Sequence, residues 1–147
     1  MNHSQPLHPY IDAAREFTRS MIAQADQTIE QEIQAKGLTA PRVTPEGIEA
    51  NIASEHYFTA MEGVIGGEMA EGQTIGEVKD YEALSLLTFC VLILRNSTKI
   101  VGINYGAIDP AQHSAETGRV EARKHAIEQI WPLMGCELRQ RLHSNEI

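Results

Sequence analysis

Leu84–Tyr105, LSLLTFCVLILRNSTKIVGINY, is the stretch that decides the fold. From Leu86 to Leu94 it is apolar except for Thr88. Arg95-Asn96-Ser97-Thr98 then breaks the run, and Lys99-Ile100-Val101-Gly102-Ile103 resumes it. Dense apolar residues with β-branched and aromatic members, cut by a short polar break, predict two paired strands. The first strand is apolar at consecutive positions, which predicts a central place in a sheet with both faces covered.

Outward from this hairpin, the chain alternates helix signals with punctuation. Upstream, a helix is predicted over 9–36. Ile11, Ala14, Phe17, Met21, Ala25, Ile29 and Ile33 recur at three- and four-residue steps and form one apolar stripe, before Gly37 stops the pattern. A long helix with a single narrow stripe packs either on its own sheet or on a second copy of itself. Residues 1–8 show no periodicity and are expected to be frayed. Thr44-Pro45-Glu46 reads as a helix start, with a threonine cap, proline at the first position and an acid in the first turn. Ala53–Met61 leans toward strand. Gly63–Glu82, with glycines at 63, 66, 67, 72 and 76, reads as loop or irregular edge strands around Val64-Ile65 and Ile75–Val78. Downstream, a helix from Ala115 to about Trp131 is interrupted by Pro132, and a second, shorter one follows to Leu142. The expected fold is α+β in a single domain: a long N-terminal helix, a sheet region over 41–105 centred on the 84–105 hairpin, and a helical region over 115–142 broken at Pro132.

The chain has 147 residues and a formal net charge of −8. Residues 1–82 carry 5 Lys/Arg against 14 Asp/Glu, whereas residues 83–147 carry 7 against 6. An acidic chain repels nucleic-acid backbones, so no polymeric nucleic-acid partner is expected. A compact anion held by a local arginine cluster is still compatible with that charge. No run of about 18 apolar residues exists, so no membrane partner is expected. The N-terminus has neither the basic nor the apolar region of a signal peptide, and the expected location is the cytoplasm of the host cell. Cys90, within the apolar run, and Cys136 read as small hydrophobes rather than as a disulfide.

Catalytic motifs are missing from the sequence. The six histidines show no HxxxH or HExxH spacing, there is no GxSxG, and the glycines form no phosphate-binding loop. The expectation is a protein that is not an enzyme, with no catalytic residues, no metal and no cofactor. The most pointed constellation is Arg119 and Arg123, one helical turn apart, with side chains leaving the same face. Arginine suits bidentate phosphate binding, and Gly118 beside Arg119 would admit another backbone or a ligand. The alternative is a solvated helix face, with Glu116 pairing Arg119, Glu121 pairing Lys124, and Glu128 near Arg123. Phe89 offers a stacking surface or a core side chain, and Asn104 a hydrogen-bonding amide.

Thr88-Phe89-Cys90-Val91-Leu92, Arg95-Asn96, Gly118-Arg119 with Ala122-Arg123, Ile130-Trp131-Pro132-Leu133 and the box Pro41–Ile52 together resemble a family of small accessory proteins of tailed phages and prophages. The resemblance extends to the Thoeris anti-defence proteins of the first type. Those are non-enzymatic, homo-oligomeric sponges that sequester glycocyclic ADP-ribose (gcADPR) signals, some also holding cyclic oligonucleotides. It implies a phage or prophage counter-defence protein that binds a cyclic nucleotide without cleaving it, as a homo-oligomer. It also implies ligand-binding residues Arg119, Arg123, Phe89, Asn96 and Asn104. The first two would hold phosphate, and the other three would contact base or ribose. The pattern has glycine and then an aromatic after the hairpin asparagine, where this chain has Ser97 and Thr98; that departure changes or removes a base-stacking contact. Two alternatives stand beside this reading: an acidic protein-binding inhibitor of a host factor, and a ligand-free phage accessory protein.

Overall fold

The computed structural model describes residues 9–35, 40–72 and 78–145. The predicted fraying of residues 1–8 and part of the Ile75–Val78 segment lie outside the described residues. The residues gather into two compact units, one formed by 52–128 and the other by 1–51 with 129–147.

The 52–128 unit is organised by a three-stranded antiparallel sheet in the order β1-β2-β3, comprising β1 (Ile52–Thr59), β2 (Thr88–Leu94) and β3 (Lys99–Asn104). The predicted hairpin is β2–β3, paired from Thr88↔Asn104 to Ile93↔Lys99. Its turn is closed by Asn96, whose Oδ1 accepts from the Thr98 N–H (3.0 Å) and the Thr98 hydroxyl (2.6 Å). Ser97 takes φ +70° there, a left-handed conformation that glycine adopts without strain and serine does not. The strand leaning at Ala53–Met61 becomes β1, which pairs with β2 through a bulge between Ile52 and Ser54.

β2 is central, as predicted, but the two faces of the sheet differ. Thr88, Cys90, Leu92 and Leu94 are buried on one face. Helix α5 (Ala115–Asn145) lies against this face, with Val120, Ala122, Ala126 and Ile127 buried. The approach is possible because β3 has Gly102 at the crossing: a Cβ there would stand 1.9 Å from the Ala122 carbonyl oxygen and 2.6 Å from the Ala126 nitrogen. The opposite face, carrying Phe58, Phe89, Val91, Val101 and Ile103, is only partly covered, with Phe58 37 % and Val101 42 % exposed. Within the described residues of the 52–128 unit, a strand apolar on both sides is thus sealed on one side only.

Between β1 and β2 the structure departs from the predicted loop. Residues 60–70 form helix α3 (Ala60–Ala70) and residues 81–86 a short helix α4 (Tyr81–Leu86). The cause is a capping box that outweighs the glycines. Thr59 Oγ1 accepts from the Glu62 N–H (3.2 Å), and Glu62 Oε1 accepts from the Thr59 N–H (3.3 Å). Each glycine costs about 1 kcal/mol against alanine in a helix, a weak preference that local capping and tertiary context override. Leu84–Leu86, read as the start of the apolar hairpin, therefore belong to α4.

In the other unit, α1 (Pro9–Ala35) and α2 (Pro45–Asn51) follow the predicted starts. The Gly47 N–H donates to Thr44 Oγ1 (3.0 Å), and Pro45 and Ile48 are buried. The predicted apolar stripe of α1 is not its buried face. Thr18 is 0 % and Glu30 6 % exposed, while Phe17, Met21 and Ile29 are 48, 48 and 59 % exposed. Glu30 can sit inward because Arg42 pairs with it. Of the other stripe residues, Ile33 is half-buried, and the side chains of Ile11, Ala14 and Ala25 lie outside the described residues. The two helical segments predicted around Pro132 form one element, α5, with the proline inside it. Proline removes one hydrogen bond and crowds the preceding turn, yet a long helix tolerates it at the cost of a kink. The boundary between the two units falls at 128/129, one turn before that proline.

Candidate functional site

Strand alternation brings Glu55 and Tyr57 of β1 to the same face as Cys90 of β2, because Tyr57 pairs with Cys90. Arg123 of α5 reaches this face and is completely buried. Its Nη2 stands 3.3 Å from Glu55 Oε2, and the Tyr57 hydroxyl donates to Glu55 Oε1 at 3.0 Å. One carboxylate thus takes a guanidinium on one oxygen and a phenol on the other. Burial drives the Tyr57 hydroxyl far above its ordinary range, with Cys90 and Glu55 adding to the rise and Arg123 opposing it. The Cys90 thiol is pushed up to about 12, again chiefly by burial. At neutral pH both groups are uncharged, and the net charge of the cluster is that of a closed ion pair. Its chemistry is that of a lock between sheet and helix, and Arg123 turned into it is not presented to solvent.

Arg119, one turn earlier on α5, is half-buried, and its Nε is buried without a hydrogen-bond partner among the described residues. The close approach expected at Gly118 is taken up within the chain: a Cβ there would lie 2.7 Å from Thr88 Oγ1 and 3.2 Å from His113 Cε1. Phe89 lies on the other face of the sheet, stacked on Phe58 with ring centroids 5.2 Å apart and planes 26° from parallel. Asn96 is engaged in the hairpin turn. Asn104 accepts from the Gly106 N–H (3.0 Å) and lines a shallow polar groove of about 270 Å³ with Ile103, Glu121, Lys124, His125 and Glu128. In that groove His125 Nδ1 accepts from the Ile103 N–H at 2.9 Å.

The five residues singled out from the sequence thus occupy three places: the helix-covered face with the groove at its edge, the open face, and the hairpin tip. Glu55, Tyr57 and Phe58 were missed. Their signal was the alternation of β1, which puts Glu55 and Tyr57 on one face and Phe58 on the other, and it becomes readable only once the strand's register against β2 is known. Among the described residues, no group of three or more His, Cys, Asp or Glu side chains is arranged to hold a metal ion, and no helix is long and apolar enough to cross a membrane.

A three-stranded antiparallel sheet backed on one face by a helix makes this a small α+β protein. The chain belongs to the phage protein (N4 Gp49/phage Sf6 gene 66) family, whose model matches residues 43–142, more than two thirds of its length. No curated protein and no solved structure matches it. Helix α1 precedes the matched region.

Proposed function

We propose that this phage protein is a counter-defence sponge in the host cytoplasm, binding a cyclic ADP-ribose isomer or a cyclic oligonucleotide without cleaving it, in a site shared between copies of the chain. The observation that carries this reading is the Phe58–Phe89 stack on the open sheet face, with Phe58 37 % exposed. Two aromatic rings on a face shared with Val91, Val101 and Ile103 offer a platform for a purine, a contact worth about 1–3 kcal/mol per base. The half-buried guanidinium of Arg119, with an Nε that no group among the described residues satisfies, supports a role in holding phosphate. Asn104 and Lys124 offer further donors at the edge of the same helix. Phe89 and Arg119 belong to opposite faces of one sheet, so a small ligand touching both must lie between copies. Arg123, committed to Glu55, acts by positioning α5 rather than by touching the ligand.

The test is calorimetry and thermal shift against cyclic ADP-ribose isomers and cyclic di- and trinucleotides. Wild type runs beside Phe89→Ala and Arg119→Ala, and bound ligand is recovered after heat release. Tight binding lost in either variant, with intact ligand recovered, is the expected result. Recovery of a cleaved product would make the protein an enzyme, and no binding to any of these ligands would remove the nucleotide reading.

A second reading, docking of a host protein on the acidic N-terminal part, is favoured by one feature. An apolar hollow of about 320 Å³ is lined by Ala23, Asp26, Gln27, Pro45, Glu46 and Glu49. Its acidic rim suits a basic, partly apolar segment.

A further inference from the structure

The hollow of about 320 Å³ between α1 and α2 has two walls of different helices: Ala23, Asp26 and Gln27 from α1, and Pro45, Glu46 and Glu49 from α2. Within each wall these residues stand three or four positions apart, so each helix turns one face into the hollow. Pro45 is buried and Ala23 half-buried, and they make an apolar floor. Asp26 is half-buried, and Gln27, Glu46 and Glu49 are exposed, so both helices bring carboxylates to the rim. At this volume the hollow is at the small end of ligand pockets, which run from about 300 to 1,000 Å³. It has room for one side chain, not for a folded segment.

We propose that this hollow is the seat of a single arginine side chain from a basic segment of a host protein. The proposal rests on the second reading above, docking on the acidic N-terminal part, and names the group that anchors it. An apolar floor under an acidic rim matches a side chain whose aliphatic stem packs on Ala23 and Pro45 while its charged head stays at the wet edge. Lysine shares that form, but its ammonium is a compact, strongly hydrated point charge. The planar guanidinium spreads five N–H donors around its edge and can meet carboxylates on both walls at once. Asp26 and Glu49 also interact within the chain, and a carboxylate with about four acceptor sites can serve both partners. Charge also decides against a second copy: residues 1–82 carry 5 Lys/Arg against 14 Asp/Glu, so two such surfaces repel each other.

The test is nitrogen–proton correlation NMR of the full chain, titrated at constant ionic strength with capped arginine amide. Capped citrulline amide (its neutral near-isostere), capped lysine amide and diaminobutane are run beside it. Wild type is compared with Glu46→Gln and Glu49→Gln, both near-isosteric at exposed positions, and with Glu71→Gln, an exposed acid outside the hollow. The spectra themselves show whether each variant is folded. The expected result is saturable, millimolar-range binding of the arginine probe that shifts the amides of residues 23–27 and 45–49, weaker with lysine and absent with citrulline. Each of Glu46→Gln and Glu49→Gln should weaken it about two- to fivefold, the size of an exposed ion pair, and Glu71→Gln should leave it unchanged. Arginine binding that shifts only amides elsewhere on α1 and α2 overturns the proposal and leaves the docking reading standing. No shift with any cationic probe removes both. Equal binding of citrulline, or tighter binding of diaminobutane, also overturns the proposal, as does self-association without any probe that Glu46→Gln abolishes.

Discussion

Arg123→Ala tests the lock between sheet and helix. In the native protein the Arg123 side chain is 0 % and that of Glu55 7 % exposed, with 3.3 Å between Nη2 and Oε2. Truncating the arginine removes the guanidinium that faces the nearly buried Glu55 carboxylate, to which the Tyr57 hydroxyl still donates at 3.0 Å. Removing one partner of a buried pair costs about 3–5 kcal/mol, because an uncompensated charge is left behind. Removing both partners costs less than the two single losses together, because nothing charged remains buried. A double-mutant cycle of Arg123→Ala, Glu55→Ala and the pair should therefore return a coupling of about 2–3 kcal/mol, at the upper end of the usual range for contacting residues. The assay is urea unfolding followed by circular dichroism, with hydrogen exchange of β1 and β2 amides to locate the loss in the 52–128 unit. If Arg123→Ala stays within about 0.5 kcal/mol of wild type, the size of an ordinary surface effect, the lock is not structural, and Arg123 returns to the residues to be tested for ligand contact. The result also governs how binding data are read: ligand affinity lost in Arg123→Ala carries no weight until its folded fraction is known, whereas half-buried Arg119 is free of that confusion.

Two further outcomes follow from the same face of the sheet. Gly102→Ala sets a methyl group against backbone atoms of α5, 1.9 Å from the Ala122 oxygen. Since a helix backbone cannot yield as a side chain does, the cost should reach or exceed the ~3 kcal/mol upper end for overpacking, read as a lowered urea midpoint. Native protein at pH 8 should give one titratable thiol, the exposed Cys136, with buried Cys90 appearing only on denaturation. Cys90 is raised from 9.0 to about 12 when folded, so the unfolded chain loses its proton first. The stability conferred by keeping that thiol neutral is complete below pH 9 and is lost as pH rises through 12, with Tyr57 acting in the same direction. Replacing Cys90 with alanine should flatten that part of the alkaline unfolding curve, and an unchanged curve would contradict the assignment.

Much of the fold was readable because its signals are local. The β2–β3 hairpin follows from two apolar runs around a four-residue polar break, α2 from its threonine cap and proline, and α5 from its apolar spacing. The α3 segment was misread for an equally local reason: its glycines speak against a helix, and the capping box at Thr59 and Glu62 that outweighs them joins a strand end to a helix start, a junction that neither periodicity reveals. For α1 the sequence shows that an apolar stripe exists but not which way it faces, because rotation about a helix axis is set by what the helix packs on.

The sequence by itself determined the composition of the candidate site: arginines one turn apart on a helix, an aromatic in the central strand, no metal-ligand spacing and no nucleophile motif. What it could not determine is which of those residues are already spent. Arg119 and Arg123 look equivalent along the helix, yet the β1–β2 register carries Glu55 beneath one of them and makes it a buried lock. Phe89 reads as either a stacking surface or a core side chain, and strand alternation puts it on the open face, away from both arginines. Register and packing join residues 68 positions apart, as Arg123 and Glu55 are. No local propensity contains that distance, so only the tertiary structure separates the residues that hold the fold from those still free to hold a ligand.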